Sequence, residues 1–158
     1  MFEFNKDYII NTVKNNRTIT SFDELQYFTG LETITSSAFS GCNNLISVQL
    51  PNTITIIGST AFASCTRLSN INIPESVTKI ERSAFSHCSQ LKNITFPNSL
   101  TFLGSSAFLN CSKVEAINIP ANVSVIESKC FMGCNDAQSV VVAEDNPYYD
   151  SRDNCNAI

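Results

Sequence analysis

Cysteine and histidine are the residue types in this chain best suited to nucleophilic or metal chemistry, and there are seven cysteines and one histidine. Five cysteines recur at a constant 23-residue spacing, as Cys42, Cys65, Cys88, Cys111 and Cys134. Equivalent positions on adjacent repeats could lie within the ~4.4–6.8 Å between Cα atoms that a disulfide requires. Pairing within a set of five leaves one thiol over, however, and free cysteine commonly behaves as a small buried hydrophobe. We therefore predict that most of these thiols are reduced and buried, with cystines as the alternative.

The neighbours of these residues do not suggest catalysis or metal binding. His87 stands next to Cys88, but adjacent residues point in different directions, so this pair is not expected to form a Cys–His dyad. Cys130 and Cys134 lie one helical turn apart and alone offer too few ligands for zinc. The sequence has no glycine-rich phosphate loop and no Gly-x-Ser-x-Gly motif. We predict no enzymatic activity, no metal and no cofactor.

The C-terminal residues 144–158 are acidic, which raises the question of calcium. Asp145, Asp150 and Asp153 could supply oxygen ligands. They lack the alternating Asp/Asn and Gly spacing of a calcium loop, so a solvated loop is the simpler interpretation. The last four residues look like the start of another strand, and we interpret residues 144–158 as a truncated further unit.

The segments that position these residues repeat together with the cysteines. A phenylalanine precedes each cysteine of the series by three residues, at Phe39, Phe62, Phe85, Phe108 and Phe131. A proline closes four of the five units, and Ala143 takes its place in the fifth; the prolines are Pro51, Pro74, Pro97 and Pro120. Copies in phase at this period indicate a solenoid, in which each coil buries its apolar side against its neighbours.

Each unit is predicted to contain a strand. In the first unit Leu45, Val48 and Leu50 follow a Leu-x-x-Val-x-Leu pattern, whose last two positions alternate as in a half-buried strand. Proline ends the strand because it cannot donate the next ladder hydrogen bond. We expect a parallel sheet whose inward side chains are Val48, Ile71, Ile94, Ile117 and Val140, and then Leu50, Ile73, Phe96, Ile119 and Val142.

A turn precedes each strand. The Ser-Ala-Phe segments predict short helical turns that begin at Ser36, Ser59, Arg82, Ser105 and Ser128. Two residues after each phenylalanine, a slot rich in Gly, Asn and His is predicted to end the turn in a left-handed conformation; its members are Gly41, Ser64, His87, Asn110 and Gly133.

Residues 1–30 do not fit the period and are predicted to form a helical cap. Asn5 would begin a first short helix. Ser21 and Glu24 form a capping box for a second helix, which Gly30 would end. The chain is thus predicted to consist of an N-terminal cap (1–30), a five-coil solenoid (31–143) and an acidic C-terminal segment (144–158).

Charge and hydropathy exclude several classes of partner. Residues 31–142 carry six basic and six acidic groups, so they offer no basic stripe for nucleic acid. No apolar run approaches the ~20 residues of a membrane span. No signal peptide is expected, because Lys6 and Lys14 flank no small-residue cleavage site after an apolar core.

Two surfaces of the predicted solenoid are candidates for binding. Outward strand positions form an uncharged, amide-rich face that could bind a protein or glycan by hydrogen bonds, with a merely soluble surface as the alternative; they are Ser47, Gln49, Asn70, Asn72, Asn93, Thr95, Ala116, Asn118, Ser139 and Val141. A second slot contains Thr33, Ile56, Lys79, Phe102 and Val125. Its apolar members Ile56, Phe102 and Val125 predict an exposed binding strip, with packing against an adjacent loop as the alternative.

The unit Ser-Ala-Phe-x-x-Cys-x-x-Leu-x-x-Ile-x-Phe/Ile/Leu-Pro resembles the BspA-like leucine-rich repeats of surface proteins from gut and oral bacteria and some parasitic protists. The resemblance covers about residues 31–142, and residues 20–28 and 146–152 also resemble segments that border such repeats. It implies a right-handed leucine-rich-repeat solenoid of the α/β class, with short parallel strands on one face and short helical turns on the other. It also implies an exported or surface-attached protein that binds other macromolecules, since some relatives are adhesins.

We therefore expect a monomeric, non-enzymatic extracellular module that acts as an adhesin or protein-interaction scaffold, with a protein or glycan ligand such as a host matrix protein. Two alternatives remain open. The solenoid could be a structural spacer that projects another domain, or an accessory module of a carbohydrate-active protein.

Overall fold

A computed structural model describes residues 13–150 of the 158-residue chain. These residues form a parallel-strand β-solenoid of about five turns. They contain ten short strands, which are β1 Ser21–Phe22, β2 Thr33–Ile34, β3 Ser47–Val48, β4 Ile56–Ile57, β5 Asn70–Ile71, β6 Lys79–Ile80, β7 Phe102–Leu103, β8 Ala116–Ile119, β9 Val125–Ile126 and β10 Ser139–Val142. A single 3₁₀ helix, Asp23–Tyr27, is the only helical element longer than a turn among the described residues.

The strands form two sides of the solenoid, and all pairs are parallel. One side is a continuous five-stranded sheet in the order β2-β4-β6-β7-β9. The other side is divided into a three-stranded sheet, β1-β3-β5, and a two-stranded sheet, β10-β8. Between these two parts the chain makes one isolated bridge, from Asn93 to Ala116, so the ladder is interrupted between β5 and Asn93.

Proline removes one ladder donor at the end of a strand. At the fifth unit Ala143 donates its N–H to the Ile119 carbonyl (2.9 Å), and the β8–β10 pair continues for four residues. At the second unit Pro74 has no N–H to give, and the β3–β5 pair is only two residues long. The side chain of Asn72 compensates there: its Nδ2 donates to the Leu50 carbonyl (3.1 Å) and its Oδ1 accepts the Leu50 N–H (2.7 Å).

The interruption of the ladder coincides with the bulkiest inward residue of the strand series. The Phe96 ring leans toward the later coils, where its centroid lies 5.5 Å from that of Phe108 and 6.3 Å from that of Phe131. On the other side of the interruption Ile71 and Ile73 are only half-buried. Phe96 therefore packs with the coils after it and leaves the coil before it less well covered.

The predicted helical turns are wrong, because their N–H groups bond to the next coil instead of closing a helix. In the first coil Ser37 donates to Ser59 (2.9 Å), Phe39 to Ala61 (2.7 Å) and Gly41 to Ala63 (2.8 Å). The same residues therefore cannot supply the i to i−4 hydrogen bonds of an α-helix. The serines predicted to cap helices have no helix to cap at these positions.

Two left-handed residues in each coil allow this path. The predicted left-handed slot is confirmed, with φ between 58° and 81° at Gly41, Ser64, His87, Asn110 and Gly133. A second left-handed column, with φ between 53° and 62°, was not predicted; it consists of Ser37, Thr60, Ser83, Ser106 and Lys129. A threonine with positive φ is unusual because its branched Cβ is crowded there. The Thr60 hydroxyl compensates with hydrogen-bond contacts to the Ser59 carbonyl (2.6 Å) and the Ser37 hydroxyl (2.8 Å).

The predicted helical cap is not supported. The helix expected from Asn5 lies outside the described residues. Ser21 is not a helix N-cap, because it pairs with Ser47 in the parallel sheet. The 3₁₀ helix begins only after Phe22, and no side chain caps its start. The Asp23 carboxylate instead accepts a hydrogen bond from the Ser47 hydroxyl (3.1 Å).

Residues 13–22 instead form part of an additional coil. The Val13 carbonyl accepts a hydrogen bond from the Cys42 thiol (3.0 Å), and the later cysteine thiols donate in the same way to phenylalanine carbonyls. Asn15 has φ 58° and donates its N–H to the Ser40 carbonyl (2.8 Å), as the left-handed slot does elsewhere. This coil is longer than the later ones, since Ser21 pairs with Ser47 whereas Ser47 pairs with Asn70. The predicted boundary at residue 30 stays a prediction.

The core is built around the phenylalanine column. Its first four members are at most 1% exposed, and their rings are stacked nearly parallel; they are Phe39, Phe62, Phe85 and Phe108. Successive ring centroids are 5.0, 5.2 and 5.1 Å apart, and Phe131 continues the column at 5.6 Å. Each ring thus covers the next, and the prediction that this column forms the core is confirmed.

Candidate functional site

The repeated cysteines form a column beside the phenylalanines, and each thiol donates to a carbonyl of the preceding coil. Cys65 donates to Phe39 (3.1 Å), Cys88 to Phe62 (3.2 Å) and Cys111 to Phe85 (3.1 Å). All six described cysteines are free, and only Cys134 is more than slightly exposed. A small side chain with one weak donor therefore satisfies a buried carbonyl in every coil.

Burial makes these thiols poor nucleophiles. Removal from water raises the pKa of Cys65 to about 12 and that of Cys134 to about 11. The same cause raises the pKa of Cys130 to about 12, and the pKa of Cys88 lies well above its usual range. Because the thiolate is the reactive form, the column is protonated and chemically inert near neutral pH.

His87 occupies a turn, as its left-handed φ of 63° shows. Its Nε2 lies 3.1 Å from Nδ2 of Asn110, which is the equivalent residue one coil later. The neighbouring Cys88 thiol points the other way, into the core, where it donates to Phe62. Among residues 13–150 no group of three or more His, Cys, Asp or Glu side chains could hold a metal ion.

The amide-rich face is not one continuous surface. Asn93, Thr95 and Asn118 are exposed after the interruption of the ladder, and the Asn93–Ala116 bridge brings their coils together. Asn70 is exposed before the interruption, and Gln49 is half-buried near it. Asn72 points back to its own strand neighbour, because both ends of its amide are bonded to the Leu50 backbone.

The second candidate surface lies on the continuous five-stranded sheet. The strand register places Ile56 beside Lys79, Lys79 beside Phe102 and Phe102 beside Val125. We call these four residues the outer strip. The Lys79 ammonium lies 5.0 Å from the centroid of the Phe102 ring and 3.2 Å from the Glu81 carboxylate, and Val125 is 40% exposed.

One exposed aromatic residue that follows the outer strip by one period was not predicted from the sequence. Tyr148 follows Val125 by one 23-residue period and is 62% exposed. Its neighbour Tyr149 is anchored at the last strand of this sheet, because the Tyr149 hydroxyl accepts the N–H of Ile126 (2.9 Å). The period itself was the available signal, since counting one period past Val125 reaches a tyrosine.

A ladder of hydroxyl groups supports the outer strip along one side. The residue that precedes each strip position has a side-chain hydroxyl, which donates a hydrogen bond to a backbone carbonyl of the preceding coil. The pairs are Thr55 to Glu32 (3.1 Å), Thr78 to Thr55 (3.2 Å), Thr101 to Thr78 (3.1 Å) and Ser124 to Thr101 (3.3 Å). These side chains satisfy carbonyl groups next to the strip. The strip therefore lies on a backbone that has little freedom left to lose on binding.

Comparison with solved structures finds bacterial leucine-rich-repeat proteins. A leucine-rich-repeat protein of T. pallidum is 34% identical, with a TM-score of 0.69 over 70% of this chain and 51% of that one. A leucine-rich cell surface protein of Faecalibacterium prausnitzii is 30% identical, with a TM-score of 0.72 over 82% of this chain and 33% of that one. A leucine-rich-repeat protein of Eubacterium ventriosum is 29% identical, with a TM-score of 0.64 over 74% of this chain and 31% of that one.

This chain thus spans about half or less of the length of these proteins. None of the curated proteins compared with it matches. The described residues contain no helix long and apolar enough to cross a membrane. A model of the BspA type leucine-rich-repeat region matches residues 11–138 with six copies, one more than the 23-residue series supplies. By that match and by the coil geometry, the chain belongs to the BspA-type leucine-rich-repeat family.

Proposed function

We propose that this protein is a non-catalytic module that binds another protein through the outer strip. The observation that carries the proposal is the alignment of Ile56, Lys79, Phe102 and Val125 on adjacent strands of one continuous sheet. Strands ~4.8 Å apart place these side chains along a line of roughly 15 Å, which suits a protein partner. Aromatic anchors and partly desolvated cations are common where interface energy concentrates.

The remaining chemistry of the chain supports binding rather than catalysis. The described thiols are protonated, and the one histidine is an exposed turn residue with an amide as its neighbour. General acid–base catalysis needs convergent groups whose pKa values are tuned to the working pH. The relatives that this chain matches are leucine-rich-repeat proteins, and none of those described here is named as an enzyme.

We place the module at the bacterial cell surface and propose adhesion as its role. The F. prausnitzii protein, described as a leucine rich cell surface protein, supports this location. Host matrix proteins are the proposed partners. The exposed amides and hydroxyl of Asn93, Thr95 and Asn118 form a second candidate surface, which would favour a glycan because it offers donors and acceptors without an apolar anchor.

The test compares one variant on each surface. Phe102→Ser removes the aromatic anchor of the outer strip, while the double variant Asn93→Ala with Asn118→Ala removes amides from the other face. Each protein is assayed against panels of host matrix proteins and glycans, after circular dichroism has shown that it folds. We expect the wild type and the double variant to bind the same matrix protein, and Phe102→Ser to bind it about tenfold more weakly or worse.

Other outcomes would change the assignment. Equal binding by Phe102→Ser would exclude the outer strip. Loss of glycan binding in the double variant alone would move the site to the amide face. If the wild type binds neither panel, the solenoid acts as a spacer or as an accessory module.

A further inference from the structure

A groove crosses the solenoid next to the place where the strand ladder is interrupted. Its volume of about 560 Å³ lies within the range of small-molecule binding sites. Three successive coils contribute its lining, which consists of Ile46, then Thr66, Arg67 and Ser69, and then Ser89 and Gln90. We call it the Arg67 groove, and it contains no residue of the outer strip.

The interruption leaves one backbone carbonyl of this groove without its usual donor. One coil earlier, the Ile46 carbonyl accepts the N–H groups of Ser69 (3.1 Å) and Asn70 (3.3 Å). One coil later, the Lys92 carbonyl accepts the N–H of Glu115 (3.1 Å). Ser69 is the equivalent residue between them, and no N–H group of residues 13–150 donates to its carbonyl. A ligand that donates a hydrogen bond can take the place of the missing N–H.

Arg67 is the charged residue of the groove. Within the described part of the chain its guanidinium forms no ion pair, and one of its nitrogens lies 3.4 Å from Oδ1 of Asn44. Lys113 occupies the equivalent position two coils later, where its ammonium lies 2.9 Å from the Asp136 carboxylate. A carboxylate supplied by a ligand would do the same for Arg67, whose planar guanidinium can form two parallel hydrogen bonds with it.

The other polar groups of the groove offer both donors and acceptors. The hydroxyls of Thr66 and Ser89 donate to carbonyls of the preceding coil (3.4 and 3.2 Å), so their oxygen atoms remain available as acceptors. The Ser69 hydroxyl and the Gln90 amide are on exposed residues, and neither has a hydrogen-bond partner among the residues that the structure describes. Such a mixture of neutral donors and acceptors matches the hydroxyl groups of a sugar.

Arg67 and Ser69 together restrict the class of ligand. A fully ionised simple anion could pair with Arg67, but it has no hydrogen to donate to the Ser69 carbonyl. An inserted peptide strand does not fit, because the same two coils stay joined by the β4–β6 pair and by the hydrogen bond from the Ser64 N–H to the Ser86 carbonyl (2.8 Å). An acidic sugar carries a carboxylate and donating hydroxyls in one small unit, and its C–H face can cover Ile46, which is 38% exposed.

We propose that the Arg67 groove binds an acidic saccharide, whose carboxylate pairs with the Arg67 guanidinium and one of whose hydroxyls donates to the Ser69 carbonyl. The site is separate from the outer strip and from the exposed face of Asn93, Thr95 and Asn118, so it can be correct whether or not the proposed function is.

The test titrates acidic saccharides into the ¹⁵N-labelled full chain. The probes are sialyllactose, a galacturonate tetrasaccharide and a hyaluronan tetrasaccharide, and their neutral counterparts are lactose and the two methyl-esterified tetrasaccharides. At least one acidic probe should shift the amide signals of Arg67, Ser69 and Gln90 and bind about tenfold more tightly than its neutral counterpart.

Matched variants locate the site. Arg67→Gln should bind the same probe about tenfold more weakly, because it loses the charge-assisted pair. Lys113→Gln makes the same change in charge at the equivalent position two coils later and should bind as the wild type does. Phe102→Ser alters the outer strip and should also bind the probe normally. Circular dichroism shows beforehand that each variant folds.

Three results would overturn the proposal. The first is the absence of shifts in the Arg67 groove with about 5 mM of any of the three acidic probes, because a specific site should bind more tightly than that. The second is equal binding by Arg67→Gln and Lys113→Gln, which would show that Arg67 does not hold the carboxylate. The third is equally tight binding of a hexaglutamate peptide, which would assign the groove to acidic peptides instead of sugars.

Discussion

Replacing Phe85 with alanine should be among the most destabilising single changes in this protein. The side chain is 0% exposed, and its ring is stacked between Phe62 at 5.2 Å and Phe108 at 5.1 Å. Phe131 provides a matched control in the same column, because it has one stacking neighbour in the column, Phe108, and is half-buried. Phe85→Ala and Phe131→Ala therefore remove the same atoms from a fully buried and a half-buried position.

The expected magnitudes follow from these environments. A buried phenylalanine changed to alanine typically costs ~3–5 kcal/mol, as lost transfer energy plus the cavity left behind. At Phe131 part of that area is already exposed to water and the cavity can fill, so we expect about 1–2 kcal/mol. The difference between the two variants should therefore be roughly 2 kcal/mol or more.

Urea unfolding followed by far-UV circular dichroism measures both changes. In a solenoid, stability is approximately a sum over coils and their interfaces, so part of the chain can unfold separately. The m values of the variants must therefore agree before their free energies of unfolding are compared. If Phe85→Ala and Phe131→Ala cost the same within about 0.5 kcal/mol, the column does not act as a stack of mutually covering rings, and the reasoning is wrong.

Three further predictions concern the amides and the thiols. Asn72→Ala should lower the free energy of unfolding by about 1–3 kcal/mol, because it leaves the Leu50 N–H and carbonyl without their amide partner. The control Asn118→Ala changes an exposed amide and should stay within about 0.5 kcal/mol. Equal effects in urea unfolding would show that Asn72 does not compensate for the N–H that Pro74 lacks. The six described thiols should resist a thiol reagent in the native state, with the partly exposed Cys134 reacting first, and rapid labelling of Cys65 would show that the column is accessible. Burial raises the pKa of Cys65 from 9.0 to about 12, so above pH 9 the folded chain keeps a proton that the unfolded chain loses. The free energy of unfolding should therefore fall as the pH rises from 9 to about 12. A free energy of unfolding that does not change over this range would contradict the burial of Cys65.

The solenoid and its core could be predicted from the sequence because both follow directly from the 23-residue repeat. A phenylalanine at the same point of every 23-residue period must place ring over ring once the coils stack, and a Gly, Asn or His two residues later indicates a left-handed turn. The register of Ile56 with Lys79 and Phe102 follows from the same count. For these features local residue preference and long-range packing agree.

Features that depend on backbone hydrogen bonds between coils could not be predicted. Ser-Ala-Phe is compatible with a helical turn, and only the neighbouring coil decides that the Phe39 N–H goes to Ala61 instead. Thr60 and Lys129 have no preference for a left-handed conformation, so their column gave no signal. The coil that contains Val13 and Asn15 was missed because it is longer than the 23-residue period and therefore falls out of phase with it.

The coil-to-coil direction of these hydrogen bonds has a mechanical consequence. Strand pairs and turn donors alike connect one coil to the next, so a force that pulls the two ends of the solenoid apart acts along the bonds and not across them. Such a load separates one row at a time, and each released 23-residue coil lengthens the chain by about 80 Å. The coil-to-coil interface between β5 and Asn93 has no strand ladder on this side, so it is expected to separate at the lowest force. Under tension the protein is therefore expected to lose coils one after another, while the remaining coils stay bonded to one another.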